Sequence, residues 1–359
     1  MEEGENVAIH RLGLDLGSTH VQLAEVEFAN KNAVATGSGV LTGFAQVPVP
    51  RGALASGQVV DVGAVASAIR KAVSIVSPKS KDVIIGVGGE SVVVREIELP
   101  EMPMAQLRSS LPFQVQDMLP MSIDESVLDF FPTGAHEGKD ATMLRGIMVA
   151  APKSLVSKNL VAVESAGLKT VAVDINAFAL MRAQLAGDLL SRVVAFVDIG
   201  AQMTTLVISQ GGQPRLVRTL SAGGENATDA VAAAMRIDAQ QAESVKFRIG
   251  LEPTSDREMA PAQEAIATST RALVEAVRNT FVYYSSNNHG EAIERVIITG
   301  GGAHLGGLGQ YLATASRLPV SFGNSFARVT LGGKLGADAV RGLEANVPVA
   351  IGLTFGEAA

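Results

Sequence analysis

Apolar positions alternate with polar or small ones through "RLGLDLG" (residues 11–17) and again through "VQLAEVEFA" (21–29), the period of two that predicts half-buried strands. Ser18 and Thr19 separate the runs and predict the turn of a β-hairpin. A third strand is expected within "AVATGSGVLTGFAQVP" (33–48). The period then lengthens in "VDVGAVASAIRKAVSIVS" (60–77), which reads as a helix ending before Pro78. "DVIIGVGG" (82–89) follows as a buried strand, giving the order β-β-β-α-β. That order returns from "RVVAFVDIGAQMTTLVISQGGQPRLVRTLSAGG" (192–224), which predicts two strands joined at Gly200–Gln202, a hairpin at Gly211-Gly212 and a third strand. Helices are expected over about 225–249 and 261–287, then a buried strand in "RVIITGGG" (295–302). Asp15-Leu16-Gly17 and Asp198-Ile199-Gly200 occupy the same place in the two halves. The pattern predicts a duplicated α/β fold whose lobes face one another across a cleft.

Residues 91–172 break the repeat and are expected to form an inserted subdomain. "SVVVREIELPEMP" (91–103) predicts a strand, and "MAQLRSSLPFQVQDMLP" (104–120) a partly amphipathic helix interrupted at Pro112. "IMVAAPKSLVSKNLVAVESAGLKTVAVD" (147–174) reads β-α-β, and "TGAHEGKD" (133–140) is polar enough for an exposed loop. Met102, Met104, Met118 and Met121 gather here and read as core filler, with partner contact left open.

Composition narrows the function. A chain of 359 residues suits about two domains. A net charge of −7 argues against nucleic acid as a partner, because phosphate neutralisation needs a surplus of Lys and Arg. No cysteine is present, which excludes disulfides and thiolate metal sites and makes the cytosol the expected compartment. The start "MEEGENVAIHRLG" lacks a signal-peptide pattern, and no apolar run reaches the roughly 18 residues of a membrane span. The five histidines show no metal-binding spacing.

Candidate chemistry lies in the turns. Glycine in each Asp-x-Gly turn lets backbone approach a phosphate, and the neighbouring amides and hydroxyls can point at it. A carboxylate there needs a cation between it and the phosphate, and Mg²⁺ bound through water supplies one. A lone Asp-x-Gly is an ordinary turn. Two matched copies make Asp15 and Asp198 the two sides of a Mg-nucleotide clamp. "AESVKFRIG" (242–250) sets Glu243 and Lys246 on one helical face, either as a surface ion pair or as part of the site. The glycines of "TGGGAHLGGL" (299–308) offer a flexible turn or bare backbone for a flat base. His20 and His304 beside these loops are taken as bystanders.

These four motifs, in this order, resemble the actin-like (ribonuclease H-like) ATPase superfamily over nearly the whole chain. The resemblance implies ATP and Mg²⁺ as cofactors and assigns Asp15, Gly17, Ser18 and Thr19 to a first phosphate loop, with Gln22 standing where many relatives carry lysine. It assigns Asp198, Gly200, Gln202 and Thr204 to a second phosphate loop, and Gly300, Gly301 and Gly302 to an adenosine motif. It places Gly223, Gly224, Glu225, Glu243 and Lys246 around ribose and adenine. "VVREIELPEM" (93–102), "LRSSLPFQVQDMLPMSIDESVLDFF" (107–131) and "AGLKTVAVDINAFALMRA" (166–183) are similar to the insertion, subdomain 1C, of the FtsA and PilM branch. The endings "LPVSFGNSFARV" (318–329) and "VPVAIGLTFG" (347–356) resemble the PilM family of type IV pilus assembly. The implied units are a first lobe of 8–90, 173–191 and 335–359, an insertion of 91–172, and a second lobe of 192–334. The implied function is an ATP-binding adaptor at the cytoplasmic face of the inner membrane. It would hold the short N-terminal tail of a bitopic PilN-like protein, with other platform proteins and motor ATPases as further partners. An FtsA-like filament adaptor and a small-molecule kinase remain alternatives. No catalytic residue is identified: Asp174 and Asn176 could position a water, and a helix N-cap is the competing role.

Overall fold

The computed structural model describes residues 8–138, 142–253, 255–288, 290–332 and 335–356. The chain opens with the expected hairpin, β1 (Ile9–Leu16) and β2 (His20–Phe28), paired antiparallel from Ile9↔Phe28 to Leu16↔Val21. A short helix α1 (Lys31–Thr36), capped by the Asn30 carboxamide at 2.9 Å, precedes β3 (Gly39–Pro48). A small hairpin, β4 (Leu54–Ala55) and β5 (Gln58–Val59), leads to α2 (Val62–Val76). Asp61 caps that helix by accepting from the Ala64 amide, and Val65, Ile69 and Ala72 are buried at helical spacing. β6 (Asp82–Val87) then lies parallel to β1.

The insertion is a three-stranded sheet with a helix on one face. β7 (Val93–Pro100), α3 (Met104–Val115), β8 (Ser126–Glu137) and β9 (Thr142–Pro152) follow in the chain, and the strand order is β7-β9-β8. Pro112 lies inside α3 and does not interrupt it as expected. Leu107, Leu111 and Val115, four residues apart, are all buried with Phe130 and Met148, and that packing outweighs the lost amide donor. Residues 133–137 of the expected loop continue β8 instead, pairing with 142–145, while 139–141 lie outside the described residues. Met148 fills the core, but Met104 and Met118 are exposed and are not core filler.

Next come α4 (Lys153–Ser165), β10 (Lys169–Ile175) and α5 (Asn176–Gln184). The boundary expected at 172 does not match this topology. β10 pairs parallel with β6, and Ala162 and Val163 of α4 join the apolar cluster beneath α2, so the insertion proper ends at β9. The second half repeats the first with β11 (Val193–Ile199), β12 (Thr204–Gln210) and β13 (Gln213–Leu220). The helix expected over 225–249 is instead two, α6 (Gly224–Met235) and α7 (Ala239–Ile249), broken where Arg236 takes a left-handed φ of 56°, and the long α8 (Ala260–Asn287) follows as expected. β14 (Arg295–Thr299), α9 (Leu308–Ser316) and β15 (Val320–Phe322) complete a sheet of order β13-β12-β11-β14-β15. The chain then returns. β16 (Val329–Leu331) pairs with β3, so the crossing to the first lobe comes before the expected 335, and α10 (Pro348–Leu353) packs on α5 and β1. The first sheet has the order β10-β6-β1-β2-β3-β16.

One buried amide ties the small hairpin to the lobe. Asn159 of α4 is fully buried, accepts from the Val59 amide at 3.0 Å and donates to the Gly57 carbonyl at 3.2 Å. Replacing it strands both backbone groups, which costs about 1–3 kcal/mol. Asn159→Ala is expected to lower unfolding stability by about 2 kcal/mol in denaturant titrations.

Candidate functional site

The two matched hairpins place their turns face to face. In each, the glycine amide closes the turn by donating three residues ahead, Gly17 to the His20 carbonyl at 3.0 Å and Gly200 to the Met203 carbonyl at 2.9 Å. Each aspartate stands at the end of its strand opposite a polar residue, Asp15 with Gln22 and Asp198 with Thr205. Both aspartates line a cavity of about 670 Å³ between the lobes.

No lysine or arginine pairs with either aspartate among the ion pairs of the described residues. The Asp198 Oδ1 accepts from the Thr299 hydroxyl at 3.0 Å. Loss of hydration deep in the cleft, reinforced by the nearby charge of Asp198, raises the Asp15 carboxyl to about 7. The same desolvation raises Asp198 to about 6, with the Thr299 hydrogen bond opposing it. Two unpaired carboxylates of this kind suit a divalent cation. Among the described residues no group of three or more His, Cys, Asp or Glu forms a protein-only cage. This donor set fits Mg²⁺, which keeps most of its waters and takes few carboxylates.

The remaining expected residues divide. Gly17, Ser18, Thr19, Gln22, Gly200, Gly224, Glu225, Glu243, Lys246 and the glycines 300–302 all line the cavity. Gly300 and Gly302 lie against Ile199, where any Cβ would collide, whereas Gly301 has open space. Gly223, Gln202 and Thr204 are not among the lining residues. A Cβ on Gly223 would meet the Gly200 and Ala201 carbonyls, so that glycine serves the close approach of α6 to the second loop. The Gln202 carboxamide accepts from the Ser56 amide at 3.4 Å and so bridges to the small hairpin. Thr204 is fully buried and donates to the Ala222 carbonyl at 2.6 Å. Side chains alternate along a strand, so the cleft position opposite Asp198 belongs to Thr205.

Lys246 is more than a surface pair. It is 2% exposed, and its ammonium donates to Glu243 at 2.7 Å, to the Thr228 hydroxyl at 2.9 Å and to the Gly224 carbonyl at 3.1 Å. All three donors are thereby used, which locks α7 to the first turn of α6. Glu225 is met from the opposite lobe, with Arg51 Nε 2.6 Å from its carboxylate and Arg51 Nη2 donating to Asp229 at 2.6 Å. Arg51 and Phe247 both line the cavity and were missed in the sequence, because a lone arginine in "VPRGA" and a phenylalanine within a helix carry no spacing signal.

Asp174 does not line the cavity. Its carboxylate pairs with Arg182 and accepts from the Ile175 amide at 2.7 Å, which removes it as a water-positioning candidate. Asn176 lines the cavity and lies against Gly86 and Gly88, where any Cβ would crowd it. Neither residue caps α5, whose N-cap is Ile175 without a side-chain bond. His304 is held by Asn346 at 2.8 Å and stacks on Phe322, while burial lowers His20 below the ordinary imidazole value.

The family model of the type IV pilus assembly protein PilM matches residues 13–357. The chain belongs to the PilM family. A solved PilM-PilN type IV pilus biogenesis complex superposes with a TM-score of 0.81 at 25% identity, covering 96% of this chain and 98% of that one. The cell division protein FtsA of Bacillus subtilis (strain 168) is 24% identical over 265 residues, 67% of this chain but 58% of FtsA, so the chain matches little more than half of that relative. MreB 5 of Spiroplasma citri bound to AMPPNP shares the fold with a TM-score of 0.52 at 14% identity, over 96% of this chain and 94% of that one. The actin-like architecture implied by the four motifs is thus the architecture of this family member. No helix among its described residues is long and apolar enough to cross a membrane.

The raised carboxyls set a pH dependence. Both folded values exceed the ordinary 3.8, so the folded chain keeps protons that the unfolded chain releases. The stabilisation is full below about pH 4 and is lost as pH rises through 6 and 7. Without nucleotide or divalent ion, Asp15→Asn is expected to melt several degrees above wild type at pH 8, with the two curves converging near pH 4 in calorimetry.

Proposed function

We propose that the cleft binds ATP with Mg²⁺ and that its occupancy sets the angle between the lobes of a type IV pilus assembly adaptor. The observation that carries this reading is the pair of desolvated, unpaired carboxylates, Asp15 and Asp198, at corresponding turns of two matched hairpins. Gly17, Ser18 and Thr19 on one side and Gly200 with Thr205 on the other would contact the phosphates. Gly301 and the exposed ring of Phe247 offer flat surface to a base. Bound Mg²⁺ would neutralise phosphate charge between the two aspartates, which would hold its waters. Asn176 is the candidate for orienting a water at the phosphates.

The partner reading draws on the solved PilM-PilN complex that this chain resembles along nearly its whole length. The family resemblance adds the place: a groove between the first lobe and the insertion would take the short cytoplasmic tail of a PilN-like bitopic protein. This would hold the chain at the cytoplasmic face of the inner membrane, with other platform proteins and motor ATPases within reach. Arg51 reaches across the cleft mouth to Glu225 and Asp229, and β13 touches β7 of the insertion, where Arg215 lies 3.2 Å from Glu96. A change in lobe angle therefore reaches the insertion, which is the coupling between two sites that the adaptor reading needs.

Crosslinking in cells followed by capture from the membrane fraction tests both parts. Wild type is expected to recover a single-span protein with a short cytoplasmic N-terminus, and Asp15→Ala with Asp198→Ala, folded by circular dichroism, is expected to recover several-fold less. Capture of division proteins alone would sink the pilus reading, and equal capture by both would sink the nucleotide coupling.

A further inference from the structure

Gln22 is 8% exposed, lines the cleft and stands directly across the hairpin from Asp15. Its amide orientation is fixed. The Nε2 donates to the Asn346 carbonyl at 3.2 Å, and the flipped amide would set two acceptors against each other. The Oε1 is consequently committed as an acceptor, and no donor among the described residues reaches it, Gln46 opposite on β3 included. A buried acceptor of this kind costs free energy unless a donor is supplied.

The charges around it say which donor. The acidic side chains lining the cavity are Asp15, Asp198, Glu225 and Glu243, and the lysine and arginine side chains lining it are Arg51 and Lys246. Those two cations are taken up by Glu225, Asp229 and Glu243. Among the described residues the Asp15 end of the cleft therefore holds acceptors without a fixed lysine or arginine, and a polyphosphate there would add more negative charge. What satisfies an ionised carboxylate, a neutral carbonyl and phosphate oxygens together is a hydrated divalent cation, whose waters donate outward.

We propose that the Gln22 carbonyl accepts a hydrogen bond from a water of the Mg²⁺ shell beside Asp15, making Gln22 a positioning residue for the metal and making nucleotide binding strictly dependent on it. This rests on the nucleotide reading above. A glutamine here orients the hydrated ion and adds no charge, so among the described residues no lysine or arginine is left to counter metal-free nucleotide at this end of the cleft.

The test measures ATP affinity, by displacement of a fluorescent nucleotide, as a function of free Mg²⁺. Wild type is expected to lose binding in EDTA. Gln22→Met removes the acceptor at similar volume and is expected to raise the Mg²⁺ concentration at half-effect about tenfold. Gln22→Lys keeps a donor for the Asn346 carbonyl, places a cation beside Asp15 and is expected to bind ATP in EDTA. A Gln22→Met protein with a wild-type melting curve and a wild-type Mg²⁺ profile overturns the proposal. If that variant does not fold, Gln22→Lys decides, and failure to bind ATP in EDTA overturns it. Wild-type binding of ATP that ignores Mg²⁺ overturns this inference alone. No binding of ATP by wild type at any Mg²⁺ concentration overturns the nucleotide reading with it.

Discussion

Asp15 and Asp198 lie away from bulk water, the charge of Asp198 adds to the cost of ionising Asp15, and no lysine or arginine among the described residues pairs with either. That loss of hydration is the constraint on which the site depends. Each aspartate ends a strand buried against its own lobe, so neither can retreat without dragging a sheet with it. Large apolar clusters fix those strands in each lobe, one beneath α2 and one beneath α8.

Much of the fold was legible because it is periodic and repeated. The alternation in 11–29 and 193–210 specified hairpins, and recurrence of Asp-x-Gly specified which turns face one another. What escaped were features decided by distant packing. Pro112 looked like a break, yet three buried side chains four residues apart hold α3 through it. β10 looked like part of the insertion, since pairing with β6 is a long-range event that no local pattern announces.

The site was legible at its glycines and aspartates and obscure elsewhere, for a physical reason. A turn that must approach a ligand closely restricts residue type, so it leaves a mark in the sequence. A side chain that reaches the cleft from another element does not, which is why Arg51, Phe247 and Asn346 were invisible. The resemblance assigns Thr204, whereas the register with Asp198 puts the neighbouring Thr205 on the cavity side, a one-residue difference that two adjacent threonines leave no mark of in the sequence. Glu243 and Lys246 looked like an ordinary i,i+3 pair until burial of the ammonium among three acceptors became visible.

The insertion is attached to the first lobe in sequence but packs as a strut. Ile147 and Val149 of β9 share an apolar cluster with Phe178 of α5 and with Val194, Phe196 and Val207 of the second sheet, and Val217 of β13 packs against it. Cutting out 93–152 would thus uncover greasy surface on both halves at once. The subdomain cannot be exchanged freely between relatives: a stable exchange would have to bring along the faces of α5 and β13 that it covers. A substitution in the apolar face of β9 is consequently felt by both sheets at once.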